Sequence, residues 1–256
     1  MKKFLMTMCF LFVLCVGIGG YTTSAQAADY ECVVTKNHLV TWTDGTNRIY
    51  LNRAGNKLYL KDEAGTVRLL RSFKTDEDTS YNIVQVYEEK IYLQKMHIFT
   101  THLYVYDLGN DTYKRVKKNC NVLNVSGKYM ITTTYQPSDI TPYPAYVYER
   151  TQTGIKKVAT LGRYVSQPLF ADGKIYYASY PKSGINVMHV YRCEENGDNP
   201  ELLFTRKAAH RSGYIVMTEV TDGKILFAQN DDVDSERICY AYDLATGKIT
   251  KSRESY

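Results

Sequence analysis

The chain has 256 residues and a formal net charge of +5, from 32 basic and 27 acidic side chains. A surplus this small does not indicate a nucleic-acid-binding protein, whose domains carry a concentrated basic face. The length suits one domain behind a short leader, and a domain of this size buries enough surface to fold without disulfides.

The N-terminal segment has the three-part pattern of a secretory signal peptide. Two lysines precede an apolar stretch over residues 4–18, and the segment ends in the small-x-small sequence Ala25-Gln26-Ala27. The apolar stretch is shorter than the ~20 residues that a membrane-spanning helix needs. The sequence therefore predicts a signal peptide over 1–27, a mature domain over 28–256, no membrane span, and a secreted or cell-envelope-associated protein.

One tyrosine-rich motif returns five times along the mature chain, at steps of 42 to 51 residues. Its copies are NKLYLKD (56–62), HLYVYDL (102–108), AYVYER (145–150), NVMHVYR (186–192) and ICYAYDL (238–244). A period in the forties built from short apolar strands is typical of a β-propeller with one blade per repeat. We therefore predict an all-β fold, a β-propeller of five four-stranded blades.

The strands of each blade follow from hydrophobic runs and turn signals. The first blade is predicted as ECVVT (31–35), HLVTW (38–42), KLYLK (57–61) and VRLLR (67–71), and the last blade ends in KITKSR (248–253). Runs such as IYYA, LYVY and ILFA are apolar on both faces, which favours blades packed between two neighbours over an exposed sandwich.

Short turn signals join the first two strands of each blade. Asp172-Gly173 and Asp222-Gly223 are dipeptides that hairpin turns prefer, and Ser126-Gly127 is similar. Glu88-Glu89 and Lys36-Asn37 take the same place in the second and first blades. The turn signal therefore weakens toward the N-terminus.

The string DGKIYYAS…NVMHVYRCEENGDNPELLFTR (172–206) resembles a family of secreted bacterial propellers of unknown function. These are similar to the propeller of low-density lipoprotein receptor-related proteins. Thr41-Trp42-Thr43-Asp44 also resembles the YWTD repeat of the receptor propellers, although it occurs once and has Thr in place of Tyr. The resemblance implies a propeller fold and an extracellular setting, and it names no catalytic residue.

Metal and cysteine chemistry have little support in the sequence. Four cysteines follow the leader, without the CxxC spacing of a zinc site: Cys32, Cys120, Cys193 and Cys239. Export would permit disulfides, but we expect four free thiols. The acidic run 231–236 lacks the glycine of a calcium loop, so we expect a solvated loop, no metal and no cofactor.

The innermost strands of a propeller would carry the carboxylates of a glycan-cleaving enzyme. Here they contain only two acids, Glu31 and Glu219, each near a strand end. No G-x-S-x-G elbow is present. A glycan-cleaving enzyme therefore remains an alternative rather than the main prediction.

The outermost strands are basic. Their cations are Arg68, Arg71, Lys114, Arg115, Lys117, Lys118, Lys156, Lys157, Lys248, Lys251 and Arg253. Lysine on a free edge blocks edge-to-edge aggregation, which is the interpretation that we favour. The alternative is attraction to an anionic cell-wall polymer or to lipid headgroups.

Aromatic residues in the predicted connections between second and third strands should share one end of a propeller. They are Trp42, Tyr135, Tyr143 and Tyr180, and the longest such loop is YQPSDITPYP (135–144). Exposed aromatics anchor proteins and sugars, so these four residues are the predicted ligand-binding set. The alternative is that they cap the end of the barrel.

The predicted function is that of an exported, non-enzymatic propeller, a monomer that binds an extracellular protein or a cell-surface glycan. Besides the enzyme, one further alternative stays open. Five units account for the whole mature chain, but no strand is exchanged between its ends. The chain could therefore be a structural subunit that completes its ring with a partner.

Overall fold

The computed structural model describes residues 30–35, 40–98, 100–134, 142–232 and 236–251. The predicted signal peptide lies outside these ranges. Within them the regular structure is entirely β, in four antiparallel sheets in which strands that follow each other along the chain pair. The described chain divides into two compact units: residues up to 128 with 152–155, and residues 129–151 with those from 156 onward.

The first unit contains two complete sheets and one further strand. The first sheet consists of β1 (Glu31–Val34), β2 (Val40–Thr43), β3 (Arg48–Leu51), β4 (Lys57–Lys61) and β5 (Val67–Ser72). The second consists of β6 (Thr79–Tyr87), β7 (Lys90–His97), β8 (Thr100–Asp107) and β9 (Thr112–Lys117). β10 (Asn121–Ser126) follows.

The second unit continues the same meander. One run of strands is β11 (Tyr129–Thr133), β12 (Tyr143–Thr151), β13 (Gly154–Ala171), β14 (Lys174–Ser179), β15 (Val187–Glu194) and β16 (Glu201–Lys207). The last sheet is β17 (Tyr214–Thr221), β18 (Lys224–Asn230), β19 (Ile238–Asp243) and β20 (Ile249–Lys251). The first two residues of β13 belong to the first unit.

The first sheet has five strands, which corrects the four-strand prediction for this blade. The missed strand is β3, four residues that pair with β2 and with β4. It is too short to give a clear alternation, and polar turns flank it. Because β3 adds one chain reversal, the turn after Trp42 lies at the opposite end of the sheet from the predicted one.

The two Asp-Gly turns are confirmed. Asp172-Gly173 has φ of 50° and 69°, and Asp222-Gly223 has 48° and 70°, the left-handed pair that a two-residue hairpin turn requires. Glu88-Glu89 adopts the same pair of φ values, 46° and 58°, without a glycine. Lys36-Asn37 lies outside the described residues.

β13 is one uninterrupted strand that belongs to two successive repeats. Its N-terminal half is the outer strand of the third repeat, and its C-terminal half pairs with β14 as the inner strand of the fourth. A bulge between Ser166 and Leu169 contains Pro168. Proline has no N–H to donate to a ladder, so a bulge is a place in a sheet where it fits.

The strands β7, β11, β14 and β18 are buried on both faces over much of their length, as the apolar runs predict. Six consecutive residues of β18, from Ile225 to Asn230, are buried, and β14 and β7 show the same pattern. Each unit has its own core: Ile49, Leu58, Ile83 and Leu93 belong to the first, and Met188, Ile215, Ile225 and Phe227 to the second.

Each unit has two ends. We call the end with the β6–β7 turn (88–89) the turn end of the first unit, and the opposite end, with connections 52–56, 73–78 and 118–120, its loop end. In the second unit the turn end holds turns 172–173 and 222–223, and the loop end holds connections 180–186 and 208–213.

Candidate functional site

Tyr180 is buried at the loop end of the second unit, directly after β14, with 4% of its surface exposed. Its hydroxyl donates a hydrogen bond to the carbonyl oxygen of Ile215 in β17 (2.9 Å). Burial raises the pKa of Tyr180 and the nearby Tyr143 adds to the rise, while a hydrogen bond with Ser166 opposes it. Tyr180 is therefore a neutral phenol that links β14 to β17.

Tyr143 lies beside it as the first residue of β12, with 6% of its surface exposed. Its hydroxyl oxygen accepts a hydrogen bond from the backbone N–H of Gln167 (3.3 Å). Gln167 belongs to the β13 bulge and has a φ of 45°, a conformation that surrounding contacts must hold in a non-glycine residue. The structure thus brings Tyr143 and Tyr180 together over one stretch of β13, as packed rather than exposed side chains.

Trp42 is also buried, with 4% of its surface exposed, and it belongs to β2 in the first unit. It lies opposite Cys32 in β1 and Ile49 in β3. Its strand ends at the turn end of the unit, which corrects the predicted placement of Trp42 at the loop end. The cause is the missed strand β3. Tyr135 lies outside the described residues.

Asp44 explains why the Thr-Trp-Thr-Asp segment has its structure. Its Oδ1 accepts hydrogen bonds from the backbone N–H groups of Thr46 (2.9 Å) and Asn47 (2.6 Å). Burial opposes ionisation of Asp44, but hydrogen bonds from Asn47 and Thr46 outweigh it and lower its pKa well below the ordinary value. Asp44 and Glu89 both contribute to a raised pKa of Tyr30, about 12, although burial is the larger cause. The motif therefore builds a turn.

The sequence did not single out a group of aromatic rings that pack against the core of the first unit. We call Phe73, Tyr81, Tyr104 and Tyr113 the aromatic cluster. Phe73 stacks on Tyr81 with ring centroids 4.3 Å apart, and Tyr104 stacks on Tyr113 at 4.9 Å. Phe73 and Tyr113 join the two pairs at 5.6 Å. The three tyrosines are half-buried and pack against the core of the first unit.

Basic side chains surround the aromatic cluster. We call Lys95, His102, Arg115 and Lys118 the basic group. Lys95 is the cross-strand partner of both Tyr81 and His102, and its Nζ lies 5.7 Å from the Tyr81 ring centroid. Arg115 is the cross-strand partner of Tyr104. Residues paired across a ladder project from the same face of a sheet, so these cations and rings share one face.

His102 lies in a positively charged environment on this face. Its Nδ1 accepts a hydrogen bond from the backbone N–H of Asn119 (3.2 Å). Partial burial lowers the pKa of His102, and repulsion by Arg115, Lys95 and Lys118 lowers it further. Three permanent cations therefore lie around the imidazole and favour its neutral form.

The sequence contained a signal for this cluster. Tyr104 in β8 pairs with Arg115 in β9, Tyr113 lies two residues before Arg115, and Lys114 lies between them in the chain. Taken separately, strand tyrosines indicate packing between strands and basic residues in outer strands indicate edge protection. The combination becomes visible only when register places the rings beside the cations.

A polar network occupies the loop end of the second unit. Arg206 donates from Nε to Oε1 of the buried Gln229 (2.7 Å), and its guanidinium lies 4.7 Å from the Tyr240 ring centroid. Gln229 in turn donates to Asp231, which also accepts the backbone N–H of Ala209 (2.9 Å). The hydrogen bond from Ala209 is the largest cause of a lowered pKa at Asp231. This network ties β16 to the last sheet.

The two acids of the predicted innermost strands, Glu31 and Glu219, have different surroundings. Glu31 is the exposed first residue of β1, and Glu219 is half-buried at a bulge in β17. Among the described residues, no group of three or more His, Cys, Asp or Glu side chains is arranged to hold a metal ion. The four cysteines form no disulfide with one another. Cys120 and Cys193 are buried, and burial raises the pKa of the Cys193 thiol to about 12.

In the described ranges, no helix has the length and apolar character needed to cross a membrane. No protein-family model matches the chain, and no curated protein matches it.

Solved structures with a similar fold include two peptidases. A post-proline cleaving enzyme from Rickettsia typhi is 12% identical, with a TM-score of 0.52 over 86% of this chain and 38% of its own. A prolyl endopeptidase is 10% identical, with a TM-score of 0.51 over 88% and 35%. An oligogalacturonate lyase in complex with manganese is 10% identical, with a TM-score of 0.45, and the match covers 87% of this chain and 71% of the lyase. The chain spans just over a third of the length of the two peptidases.

At these identities the likeness shows the fold alone. The strands group along the chain into five consecutive meanders, β2–β5, β6–β9, β10 to the first half of β13, the second half of β13 to β16, and β17–β20. The repeated meander and the similarity to β-propeller-like structures agree. The chain is an all-β protein with the β-propeller fold.

Proposed function

We propose that this chain is an exported, non-enzymatic β-propeller that binds an extracellular protein or a cell-surface glycan through its loop ends. The observation that carries the proposal is the pair of buried tyrosines in the second unit. Tyr143 and Tyr180 place their hydroxyls on β13 and β17, directly beneath the connections of the loop end.

Such a framework suits recognition. A loop whose base is held by buried, hydrogen-bonded side chains has less conformational entropy to lose when it binds a ligand. In this proposal Tyr143 and Tyr180 hold the connections in place, and exposed neighbours make the contacts. Tyr135 remains a proposed contact residue, whereas buried Trp42 supports the turn end of the first unit.

Exposed cations at the loop end of the second unit provide the test. Lys182 follows Tyr180, and Arg211 lies in the connection 208–213; both side chains are exposed. We expect the double variant Lys182→Glu/Arg211→Glu to reduce binding of the mature protein to native cell-envelope fractions at least about tenfold, a loss of about 1.4 kcal/mol. Sedimentation with labelled protein measures the binding.

The matched control is Lys248→Glu, which reverses an exposed charge at the turn end of the same unit. It should bind as the unsubstituted protein does, and the melting temperatures of all three should agree. Envelope binding that resists the double variant but is lost on Lys248→Glu would contradict the proposal. Treating the envelope with protease or with glycosidases then distinguishes a protein ligand from a glycan.

One observation favours the second candidate, a subunit that assembles with another chain. β1 is the edge strand of its sheet, and its Val33 and Val34 are 43% and 45% exposed. An exposed apolar edge can pair with a further strand. We expect a monomer in native mass measurement, and a stable complex of two chains would favour this candidate instead.

A further inference from the structure

The connection 208–213 at the loop end of the second unit is anchored to Asp231, the residue that directly follows β18. The backbone N–H of Ala209 donates a hydrogen bond to Oδ1 of Asp231 (2.9 Å). The backbone N–H of His210 donates to the carbonyl oxygen of the same aspartate (3.2 Å). Asp231 therefore holds the first half of this connection through both its side chain and its backbone.

The second half of the connection is held just as closely. The hydroxyl of Ser212 donates a hydrogen bond to Oδ1 of Asp232 (2.6 Å). Gly213 lies directly against the end of β18, since an added Cβ atom would be 2.5 Å from the carbonyl oxygen of Asp231 and 2.6 Å from that of Asn230. Only glycine, which has no Cβ atom, allows the two backbones to approach so closely. The connection is therefore fixed on both sides of residue 211.

Arg211 is the residue between these anchors. Its neighbours His210 and Ser212 form the hydrogen bonds just described, whereas the Arg211 side chain is exposed. A backbone that is ordered before a ligand arrives has less conformational entropy to lose on binding. The anchors therefore favour a contact between Arg211 and a ligand without touching the ligand themselves.

The carboxylate of Asp231 is itself held in one orientation. The side-chain amide of Gln229 donates a hydrogen bond to it, and Arg206 donates from Nε to the amide oxygen of Gln229 (2.7 Å). Gln229 is buried, with 3% of its surface exposed. Arg206 and Gln229 therefore orient a carboxylate that in turn orients the connection 208–213.

We propose that Asp231 is a positioning residue for ligand binding: it holds the connection 208–213 in one conformation and so presents the guanidinium of Arg211 at the loop end. This inference rests on the proposed function and deepens it, because it identifies what controls the presentation of one contact residue. Asp231 acts through Arg211 and does not contact the ligand.

The test measures binding of the mature protein to native cell-envelope fractions. We expect Asp231→Ala to weaken binding about fivefold, because the released connection must be ordered when the ligand binds. Asp231→Asn keeps an oxygen that can accept the Ala209 N–H, so it should recover most of the binding. The matched control is Asp243→Ala, which removes a carboxylate that holds turn 244–247 at the turn end of the same sheet. It should bind as the unsubstituted protein does.

A double-mutant cycle tests whether Asp231 acts through Arg211. In an Arg211→Ala background, which itself binds more weakly, Asp231→Ala should reduce binding by less than about 1.5-fold further, since two residues that serve one contact are not additive. Hydrogen exchange gives a readout without ligand. The Ala209 N–H should exchange about tenfold faster in Asp231→Ala and remain unchanged in Asp243→Ala.

Four results would overturn the inference: full binding by Asp231→Ala, an equal loss of binding in Asp243→Ala, additive losses in the cycle, or unchanged exchange at Ala209. Each of them leaves the proposed function intact, because the unsubstituted protein still binds the envelope. Absence of envelope binding by the unsubstituted protein would instead overturn the proposed function, and the inference with it.

Discussion

Asp44 shows how much of a local structure one carboxylate can hold. It receives hydrogen bonds from two backbone N–H groups and from the side chains of Thr46 and Asn47. These donors would otherwise need water in a turn that is partly covered. The Thr-Trp-Thr-Asp segment therefore has a structural explanation that needs no ligand.

The first prediction concerns Asp44→Ala. Loss of the charge-assisted bonds should lower the free energy of unfolding at pH 7 by about 2 kcal/mol, measured by urea denaturation. Because the pKa of Asp44 is depressed in the folded state, its contribution is present above the unfolded pKa of about 4 and is lost as pH falls toward the folded value. The difference between the two proteins should therefore shrink below pH 4. A difference that stays constant down to pH 2 would contradict this account.

The aromatic residues predicted to bind a ligand show that residue type alone does not determine exposure to solvent. Tyr143, Tyr180 and Trp42 end up with 4 to 6% of their surface exposed, whereas Tyr81, Tyr104 and Tyr113 are half-buried. All six are aromatic residues in strands or directly beside them. Which of them faces solvent depends on the neighbouring strand, and in a strand the next residue points to the opposite face.

At the scale of the element, the β6–β7 hairpin shows how an unfavourable backbone conformation in a turn can lower the stability of the protein. Glu88 and Glu89 adopt positive φ, which costs an L-residue about 1–2 kcal/mol and costs glycine little. The Asp-Gly turns at 172–173 and 222–223 reach the same geometry with glycine at the second position. All three turns therefore share one backbone geometry, although the sequence signal for it is weaker at Glu88-Glu89.

The second prediction is that Glu89→Gly raises the free energy of unfolding by about 1 kcal/mol. Thermal and urea unfolding measure it. The matched control is Gly173→Glu, where φ is 69° and no atom lies within 4 Å of an added Cβ, so the backbone alone is tested. Gly173→Glu should lower the free energy of unfolding by a similar amount. If Glu89→Gly and Gly173→Glu lower the free energy of unfolding equally, positive φ in these turns does not limit the stability of the protein.

The boundaries of the short strand β3 and of the long strand β13 could not be predicted from the sequence. β3 has four residues and a mixed pattern of burial, too few to establish a period. β13 has 18 residues and passes from one meander to the next without a turn. In both cases pairing with neighbours, not the local sequence, decides where a strand exists.

At the scale of the whole molecule, export is the proposal with the simplest test. The third prediction is that, in a bacterial host with a secretory pathway, the protein is recovered outside the cytoplasm with Ala28 as its first residue, by intact mass. The variant Ala25→Leu/Ala27→Leu should remain unprocessed, because signal cleavage needs small residues at these positions. Full-length protein recovered from the cytoplasm with Met1 retained would contradict export.

The amino-acid sequence by itself determined the all-β class and the repeated meander. Tyrosine-rich strands at steps of 42 to 51 residues, apolar on both faces, can be buried only between other strands. The Asp-Gly turns followed from the same information, since positive φ is a local property of the backbone.

Only the tertiary structure decided which side chains share a surface. The missed strand β3 moved Trp42 to the turn end, and the bulge of β13 placed Gln167 under Tyr143. Register across β6 to β9 placed Lys95 beside Tyr81 and Arg115 beside Tyr104. The physical reason is the period of two along a strand: a shift of one residue reverses every side chain, and pairing rather than composition sets that shift.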